Sequence, residues 1–298
     1  MGNIFINGRE VDINKILKEA QANDASKENK KVSRKFMVAN LRMSDIANSR
    51  ISIQPHIGAK REIDIVVSGS ETRVNNVSIT ECGDTVVVTD HPVNRSHNVV
   101  QLGDNITIQN SNCFGINIGQ STMGIDRINI NVGNFSDDML DFVVQVPLSA
   151  EIEISGSSVV IEQGDTLGVT ALNLSGRSSA TVGRITDCDL SLSGQAKVEI
   201  KAVNGDFTGA ASGQSQIVVN EIANGDIELH SSGQCNTTIQ RGNVDCIMAH
   251  LSGMSRLNAL CSAKTAKLEA SGMCFIFVQS VSGKVRKSKS GMSSIDVG

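Results

Sequence analysis

Two histidines and a glutamate occupy the same place in three successive repeats of the chain. His230, His250 and Glu269 each stand two residues before a Ser-Gly pair. If successive repeats stack as neighbouring strands, their backbones lie about 4.8 Å apart, so two imidazoles and a carboxylate could share a divalent metal ion. Straight stacking is unfavourable for tetrahedral coordination, and an exposed polar ladder needs no ligand. The pattern therefore predicts either a metal site or a ladder with a purely structural role.

The sequence carries no recognisable catalytic motif. It has no Gly-x-Ser-x-Gly element, no phosphate-binding loop and no His-Glu-x-x-His pair. Tryptophan and tyrosine are absent, so sugar rings would lack their usual aromatic platforms. The acidic residues Glu199, Glu228 and Asp296 are scattered over the repeats, and no acid–base pair about 5–10 Å apart is evident. We therefore predict a protein that is not an enzyme and needs no cofactor.

A repeat that fills the second half of the chain must position these residues. A Ser-Gly pair returns every 18 to 20 residues. The serines of these pairs are Ser155, Ser175, Ser193, Ser212, Ser232, Ser252, Ser271 and Ser290. A fixed period of this length predicts stacked repeats, because each unit buries its apolar side only against the next unit.

Alignment of the copies on the Ser-Gly pair reveals strand periodicity. Counting the serine as one, the fourth residue is small, as in Ser158, Ser215 and Cys235, and the sixth is mostly apolar, as in Val160 and Ile217. Polar residues between them complete the period-two pattern of a strand with one solvated face, and a second strand leads into each Ser-Gly pair. About 19 residues with two strands predict one coil of an all-β, parallel β-helix, or β-solenoid, wound in the right-handed sense.

Three segments are predicted along the chain. Residues 1–35 form a short N-terminal arm, and residues 36–150 form an irregular β layer that is continuous with the solenoid. Residues 151–298 form the regular Ser-Gly solenoid.

The arm has its own local signals. The turn Asn7-Gly8 favours a hairpin, and Asp12 is placed to cap a short helix. The charged, lysine-rich stretch 23–35 is predicted to be a linker or mobile arm.

The sequence from Asp141 onward resembles a known bacterial family. It reads DFVVQVPLSAEIEISGSSVVIE, and the repeats LSGRSSATV, LSGQAKVEI and ASGQSQIVV follow. These stretches resemble the auto-transporter adhesin, head GIN domain family of bacterial β-solenoid proteins, and the resemblance covers roughly residues 36–298. The resemblance implies a β-solenoid with an adhesin-like role, and it brings no catalytic residues.

The residue after each Ser-Gly pair changes type along the repeats. It is glutamine in three repeats and methionine in the next three: Gln195, Gln214 and Gln234, then Met254, Met273 and Met292. Glutamines in register can pair their amides. A methionine row is apolar and adaptable, and it is either a contact surface or covered by a loop.

The last repeats carry further signs of a contact. Phe275 and Phe277 occupy positions that are polar in most other repeats, and two neighbouring aromatic residues on an outer face need a cover. Lys287 and Lys289 fall in columns that are apolar earlier, which discourages growth of the solenoid. We predict a homo-oligomer or a docking contact near residues 254–298, with the phenylalanines at its centre and the lysines as gatekeepers.

Charge and hydropathy exclude several classes of protein. The net charge is −4, from 27 basic and 31 acidic residues, and this balance gives no bias toward nucleic acid. The basic cluster Lys284, Arg286, Lys287 and Lys289 is interpreted as a solvated end-cap in preference to a phosphate contact. The apolar runs are too short to span a bilayer and the start of the sequence lacks a secretion signal, so a cytoplasmic location is expected.

These observations predict a non-enzymatic β-solenoid that presents a rigid, repetitive surface to a protein partner or to itself, within an oligomeric assembly. One alternative is a structural or decoration protein of a virion or similar particle, anchored by residues 1–35. Another alternative is an adhesin-like binder of surface glycans or proteins.

Overall fold

The computed structural model describes residues 29–56, 61–90 and 139–298 with their side chains. Outside these ranges it describes short strands, whose bounds are given below. The helix predicted to start at Asp12 lies outside the described residues.

Almost all of the secondary-structure elements that the structure describes are strands. The first of them are β1 (Ile4–Ile6), β2 (Arg9–Val11), β3 (Asn29–Phe36), β4 (Asn40–Ala47), β5 (Ser49–Pro55), β6 (Ile63–Ser70), the helix α1 (Glu71–Asn75), β7 (Val77–Cys82), β8 (Thr85–Asp90), β9 (Val100–Gln101), β10 (Ile106–Gln109), β11 (Gly115–Gly119), β12 (Arg127–Asn131) and β13 (Leu140–Val146). The repeat region follows with β14 (Ile152–Ser157), β15 (Val160–Gln163), β16 (Thr170–Ser175), β17 (Ser179–Ile185), β18 (Cys188–Leu192), β19 (Lys197–Val203), β20 (Phe207–Ala211), β21 (Gln216–Val219), β22 (Ile222–Ala223), β23 (Asp226–Ser231), β24 (Asn236–Ile239), β25 (Gly242–Leu251), β26 (Arg256–Ala270), β27 (Phe275–Val281), β28 (Val285–Lys289) and β29 (Ser294–Val297).

The chain divides into two compact units. The first comprises residues 1–30, 70–73 and 92–138, and the second comprises the rest of the chain. In the first unit, β1 and β2 pair antiparallel with Ile6 opposite Arg9, which confirms the predicted hairpin. A four-stranded sheet in the order β11-β12-β10-β9 completes the described part of that unit.

This division differs from the three segments predicted from the sequence. Residues 92–138 belong to the first unit, so 36–150 is not one block. The predicted linker 23–35 is wrong at its C-terminal end, where β3 is a strand. The reason is that Val32 and Phe36 pack against the core, while the stems of the intervening basic residues tolerate an exposed strand face.

The second unit is a parallel β-solenoid of about 8 turns with a spacing of about 19 residues, as predicted. Successive coils pair along two main parallel ladders and along a third, shorter one, in which Ile222 lies between Val203 and Gly242. In one main ladder Leu172 pairs with Leu190 of the next coil. In the other main ladder, Thr237 lies between Ile217 and Leu257 of the flanking coils. Apolar residues in register therefore form the continuous core.

The coil before the regular repeats comes from a distant part of the sequence. β4 pairs parallel with β14, and β5 pairs parallel with β15. A further layer follows, in which β8 pairs with β4 and β13 pairs with β5. Buried side chains such as Phe142 fill the core of this region.

The first repeat differs from its predicted alignment. Ser157 pairs with Ser175, so Ser157-Ser158 forms the corner, and Ser158 takes the left-handed φ of 55°. Val160 was predicted to point inward, but Val159 and Ile161 are the buried residues. Gly156 does not form the corner. It allows a close approach to the preceding coil, because a Cβ atom there would lie 2.7 Å from a backbone oxygen of that coil.

Candidate functional site

The Ser-Gly corners form a ladder of backbone hydrogen bonds along the solenoid. Gly213 has a φ of 74°, and the N–H of Gln214 donates to the carbonyl of Gly194 over 2.7 Å. The N–H of Met273 makes the equivalent bond to Gly253 over 2.8 Å. Successive corners are therefore held in the same geometry.

The small residue that follows each corner closes the turn. The Ser215 hydroxyl donates to the Ser212 carbonyl over 2.7 Å, and the Cys235 thiol donates to the Ser232 carbonyl over 2.9 Å. Ser255 donates to the Ser252 carbonyl over 2.9 Å. The predicted column of small residues is confirmed from Ser178 onward, and its hydroxyl and thiol hydrogens close the turns. In the first repeat the buried Val159 lies beside Ser178 instead of the predicted Ser158.

A groove of about 560 Å³ runs along one face beside these corners. Its lining includes the corner serines Ser193, Ser212, Ser232, Ser252, Ser271 and Ser290. The lining also includes the column that contains His230, His250 and Glu269. Sequence reasoning treated the serines as turn markers and missed the groove, although their strict recurrence was the available signal.

The two histidines stack face to face in this groove. Their ring centroids are 4.9 Å apart and their planes differ by 5°. His230 Nε2 lies 3.1 Å from a carboxylate oxygen of Glu228, and His250 Nδ1 lies 2.9 Å from Glu269 Oε2. Because the two rings are stacked with nearly parallel planes, the in-plane lone pairs of the two rings lie in separate planes and do not converge on one point.

The three residues predicted as metal ligands thus form a stacked polar ladder. In the described part of the chain, no group of three or more His, Cys, Asp or Glu side chains has the arrangement of a metal site. The ladder is an observation, whereas metal binding stays a prediction.

Glu269, the carboxylate in the groove lining, is already paired with neighbours. Lys267 Nζ lies 3.0 Å from Glu269 Oε1. The hydrogen bond from Lys267, together with the charge of His250, holds the pKa of Glu269 below its ordinary value. Glu228 is engaged by His230. The groove therefore offers hydroxyls and imidazoles without a free carboxylate on this stretch.

Four cations at the C-terminal coil have no such neutralising partner. Lys284, Arg286, Lys287 and Lys289 are exposed and form no ion pair with any described residue. Other solenoid cations are paired, for example Lys264 with Asp245 over 2.6 Å. The strand β28 thus carries unpaired positive charge at the end of the groove.

Lys287 and Lys289 continue two columns that are apolar in the preceding coil, whereas their role as gatekeepers stays a prediction. They lie beside Leu268 and Ala270 of the preceding coil, in the apolar columns. Lys287 Nζ also reaches the carbonyl of Ile295 at 3.5 Å.

The glutamine and methionine residues occupy one corner column. Gln195 donates to Gln214 over 3.1 Å, and Gln214 donates to Gln234 over 3.3 Å. The methionines that continue the column, Met254, Met273 and Met292, are 47%, 51% and 78% exposed. The glutamine amides are bonded to one another along the column, whereas the methionine side chains are exposed.

The predicted phenylalanines lie on the outer face of β27, next to the methionine row. Phe275 and Phe277 are both half-buried. The Arg256 guanidinium lies 5.4 Å from the Phe275 ring centre, which covers part of that ring. The described residues provide no further ring contact at this place.

The fold is similar to that of solved bacterial structures. A Bacteroides fragilis protein named "putative adhesin" superposes with a TM-score of 0.51 at 14% identity, over 90% of this chain and 97% of that one. A Parabacteroides distasonis "putative adhesin" gives 0.49 at 12% identity, over 91% and 97% of the two chains. A "putative lipid binding protein" from the same organism gives 0.46 at 10%, over 89% and 95%. The first of these likenesses shows a shared fold.

No protein-family model and no curated protein matches the sequence. Among the described residues, no helix combines the length and the apolar character that a membrane crossing requires.

Proposed function

We propose that this chain is a non-enzymatic interaction protein whose methionine-phenylalanine surface binds a second copy of the chain. We define that surface as Met254, Met273, Met292, Phe275 and Phe277. The supporting observation is the row of three exposed methionines in register. Exposed apolar side chains that form a continuous patch are typical of protein contacts.

The rigidity of the solenoid favours this use. The backbone behind the methionines is fixed by the corner hydrogen bonds, so little ordering is lost on binding. Methionine side chains adapt their shape to a partner surface. A membership of the head GIN family would agree with an interaction role, and it remains part of this proposal.

The experiment is the molar mass in solution, measured by light scattering over a range of concentrations. The wild-type chain is expected to form an oligomer, and the variant Phe275→Ser, Phe277→Ser is expected to be monomeric at the same concentration. A variant with Met254, Met273 and Met292 all changed to Ser is expected to weaken association as well.

The matched control changes Gln195, Gln214 and Gln234 to Ser, on the same column three coils away. This control is expected to keep the wild-type mass. A monomeric wild-type chain, or equal dissociation of the control, would contradict the proposal.

A second candidate function is adhesin-like binding of a glycan. The groove favours it, because recurring hydroxyls line this concave groove, which has a volume of about 560 Å³. The particle alternative has no comparable support among the described residues.

A further inference from the structure

We infer that the groove binds an acidic polysaccharide chain along the solenoid axis. This inference deepens the second candidate function and rests on it. It does not depend on the methionine-phenylalanine surface, which lies outside the groove lining.

The first step is the shape of the groove. Its serine column runs from Ser193 to Ser290 over six coils, which corresponds to about 24 Å at the strand spacing of about 4.8 Å. A groove of this length with the same group at every rung suits an extended ligand whose polar groups also recur. A single polymer chain meets this description.

The second step is the chemistry of the rungs. The hydroxyls of Ser193, Ser232 and Ser271 make no hydrogen bond within the part of the chain that the structure describes. A hydroxyl both donates and accepts, so this column can pair with sugar hydroxyls in either direction. The imidazoles of His230 and His250 add further polar groups at the middle of the groove.

The third step is charge. The groove carboxylate Glu269 is paired with His250 and Lys267, and Glu228, which lies outside the groove lining, is paired with His230. In contrast, four cations are unpaired among the described residues: Lys284, Arg286, Lys287 and Lys289. The groove lining ends at Ser288, which lies between Lys287 and Lys289 in the sequence, and at Ser290, which follows Lys289. An anionic ligand is therefore attracted at this end and meets no free carboxylate along the histidine stretch.

Other polyanions fit these observations less well. Single-stranded nucleic acid depends on aromatic side chains for base stacking, and the groove lining contains no phenylalanine. A bilayer is too broad to enter a concave groove. A sulfated or uronic polysaccharide uses both the hydroxyl column and the cations, so charge pairing takes the place of aromatic stacking.

The experiment is calorimetric titration of the full chain with a heparin-derived hexasaccharide and with a hexamer of galacturonate. These two probes distinguish sulfate from carboxylate as the recognised anion. Binding of at least one probe is expected, and its affinity is expected to fall as salt is raised.

The decisive variant is Ser232→Glu, which places a carboxylate in the groove at an exposed position. It is expected to weaken binding by about tenfold or more, because like charges then face each other. The matched control is Gln234→Glu, which makes the same change in net charge two residues away but outside the groove lining. The control is expected to change the affinity less than about twofold.

A second pair of variants tests the cations. Arg286→Gln with Lys289→Gln is expected to weaken binding and to reduce its salt dependence. The control removes the paired cations Arg241 and Lys264 by the same substitutions and is expected to have a smaller effect.

Several results would overturn the inference. They are the absence of binding to both acidic probes, equal losses in Ser232→Glu and Gln234→Glu, and equally tight binding of single-stranded DNA of matched charge. Tight binding of a neutral dextran oligosaccharide that Ser232→Glu abolishes would overturn the acidic specificity and leave the glycan function standing.

Discussion

Gln214 and Met273 stand at equivalent corners of the solenoid, three coils apart. Their N–H groups make the same bond to the glycine below, over 2.7 and 2.8 Å. Gln214 also exchanges amide hydrogen bonds with Gln195 and Gln234, whereas the exposed Met273 side chain leaves its surface open. The backbone thus fixes the column, and the side chain alone decides whether a corner is closed or available.

This difference indicates how a repetitive fold can carry more than one function. The glutamine corners stabilise the column, because each amide is bonded to a neighbouring amide and both amide atoms of Gln214 are paired. The methionine corners contribute little to the column and expose apolar area. The chain can therefore change the use of a surface along the axis without changing the coil.

The largest expected effect tests whether the glutamine corners and the methionine corners have the same backbone geometry. Gly213→Ala and Gly253→Ala are each expected to lower the free energy of unfolding by about 3 kcal/mol. Both glycines have a positive φ, and an added Cβ atom would lie 2.6 or 2.7 Å from a backbone oxygen of the preceding corner. Urea unfolding measures the loss.

The control for this pair is Gly83→Ala. Gly83 also has a positive φ, of 62°, but an added Cβ atom would meet nothing within 4 Å. A loss of only about 1 kcal/mol is expected. A loss in Gly253→Ala as small as in this control, together with a large loss in Gly213→Ala, would mean that the methionine corners and the glutamine corners differ in backbone geometry.

A smaller effect separates the corner column from the apolar core. Cys188→Ser is expected to cost about 1–3 kcal/mol, because Cys188 is buried beside Phe207 and a hydroxyl there would gain no carbonyl at a corner. Burial also raises the pKa of the Cys188 thiol, so it should resist alkylation at neutral pH.

Cys235→Ser is the counterpart at the corner. A change within about 0.5 kcal/mol is expected, because the serines of the neighbouring coils make the same bond to the turn carbonyl. Thermal unfolding of the two variants side by side measures the contrast. Equal losses would mean that the corner column behaves as ordinary core.

The next prediction extends the amide ladder by one coil. Met254→Gln is expected to raise the free energy of unfolding by about 0.5–1 kcal/mol, because the new amide lies one rung above Gln234. Met254→Leu is the control, and it adds no amide. A gain in the leucine variant instead would assign the effect to apolar packing.

The smallest expected effect concerns pH. The pKa of Glu269 is lowered, chiefly by Lys267 and also by His250, so the folded state favours its ionised form. Its contribution to stability is present above the ordinary pKa of 4.5 and is lost as the pH falls through the lower folded value. In urea unfolding measured from pH 6 downward, the free energy of unfolding of Glu269→Gln is expected to fall slightly less steeply with pH than that of the wild-type chain. Glu162→Gln is the control.

Much of the fold follows from the sequence, because each coil is specified by residues close together in the chain. The Ser-Gly spacing and the alternating apolar residues predicted the parallel ladders, the column of small residues and the glutamine ladder. The first repeat was misaligned because its register depends on β4, and Glu153 meets Arg42 across 111 positions of sequence. Local periodicity contains no information about such a partner.

The candidate site was predictable in part. His230, His250 and Glu269 were placed in one column correctly, but the direction of the ring nitrogens depends on Glu228 and Lys267, which lie in the neighbouring column. The groove depends on how the corner serines and the histidine column are arranged in space, and one-dimensional spacing does not give that arrangement.

The same long separation has a consequence for the order of folding. The repeats from β16 to β29 can add one after another, since each new coil closes only a short loop. The coil of β4 and β5 has to find β14 and β15 across more than a third of the chain, and contacts of this kind form slowly. We expect pulsed hydrogen exchange to protect the C-terminal coils first and β4 last. In a nascent chain, the edges of β4 and β5 that pair with β14 and β15 stay open until those strands have been synthesised.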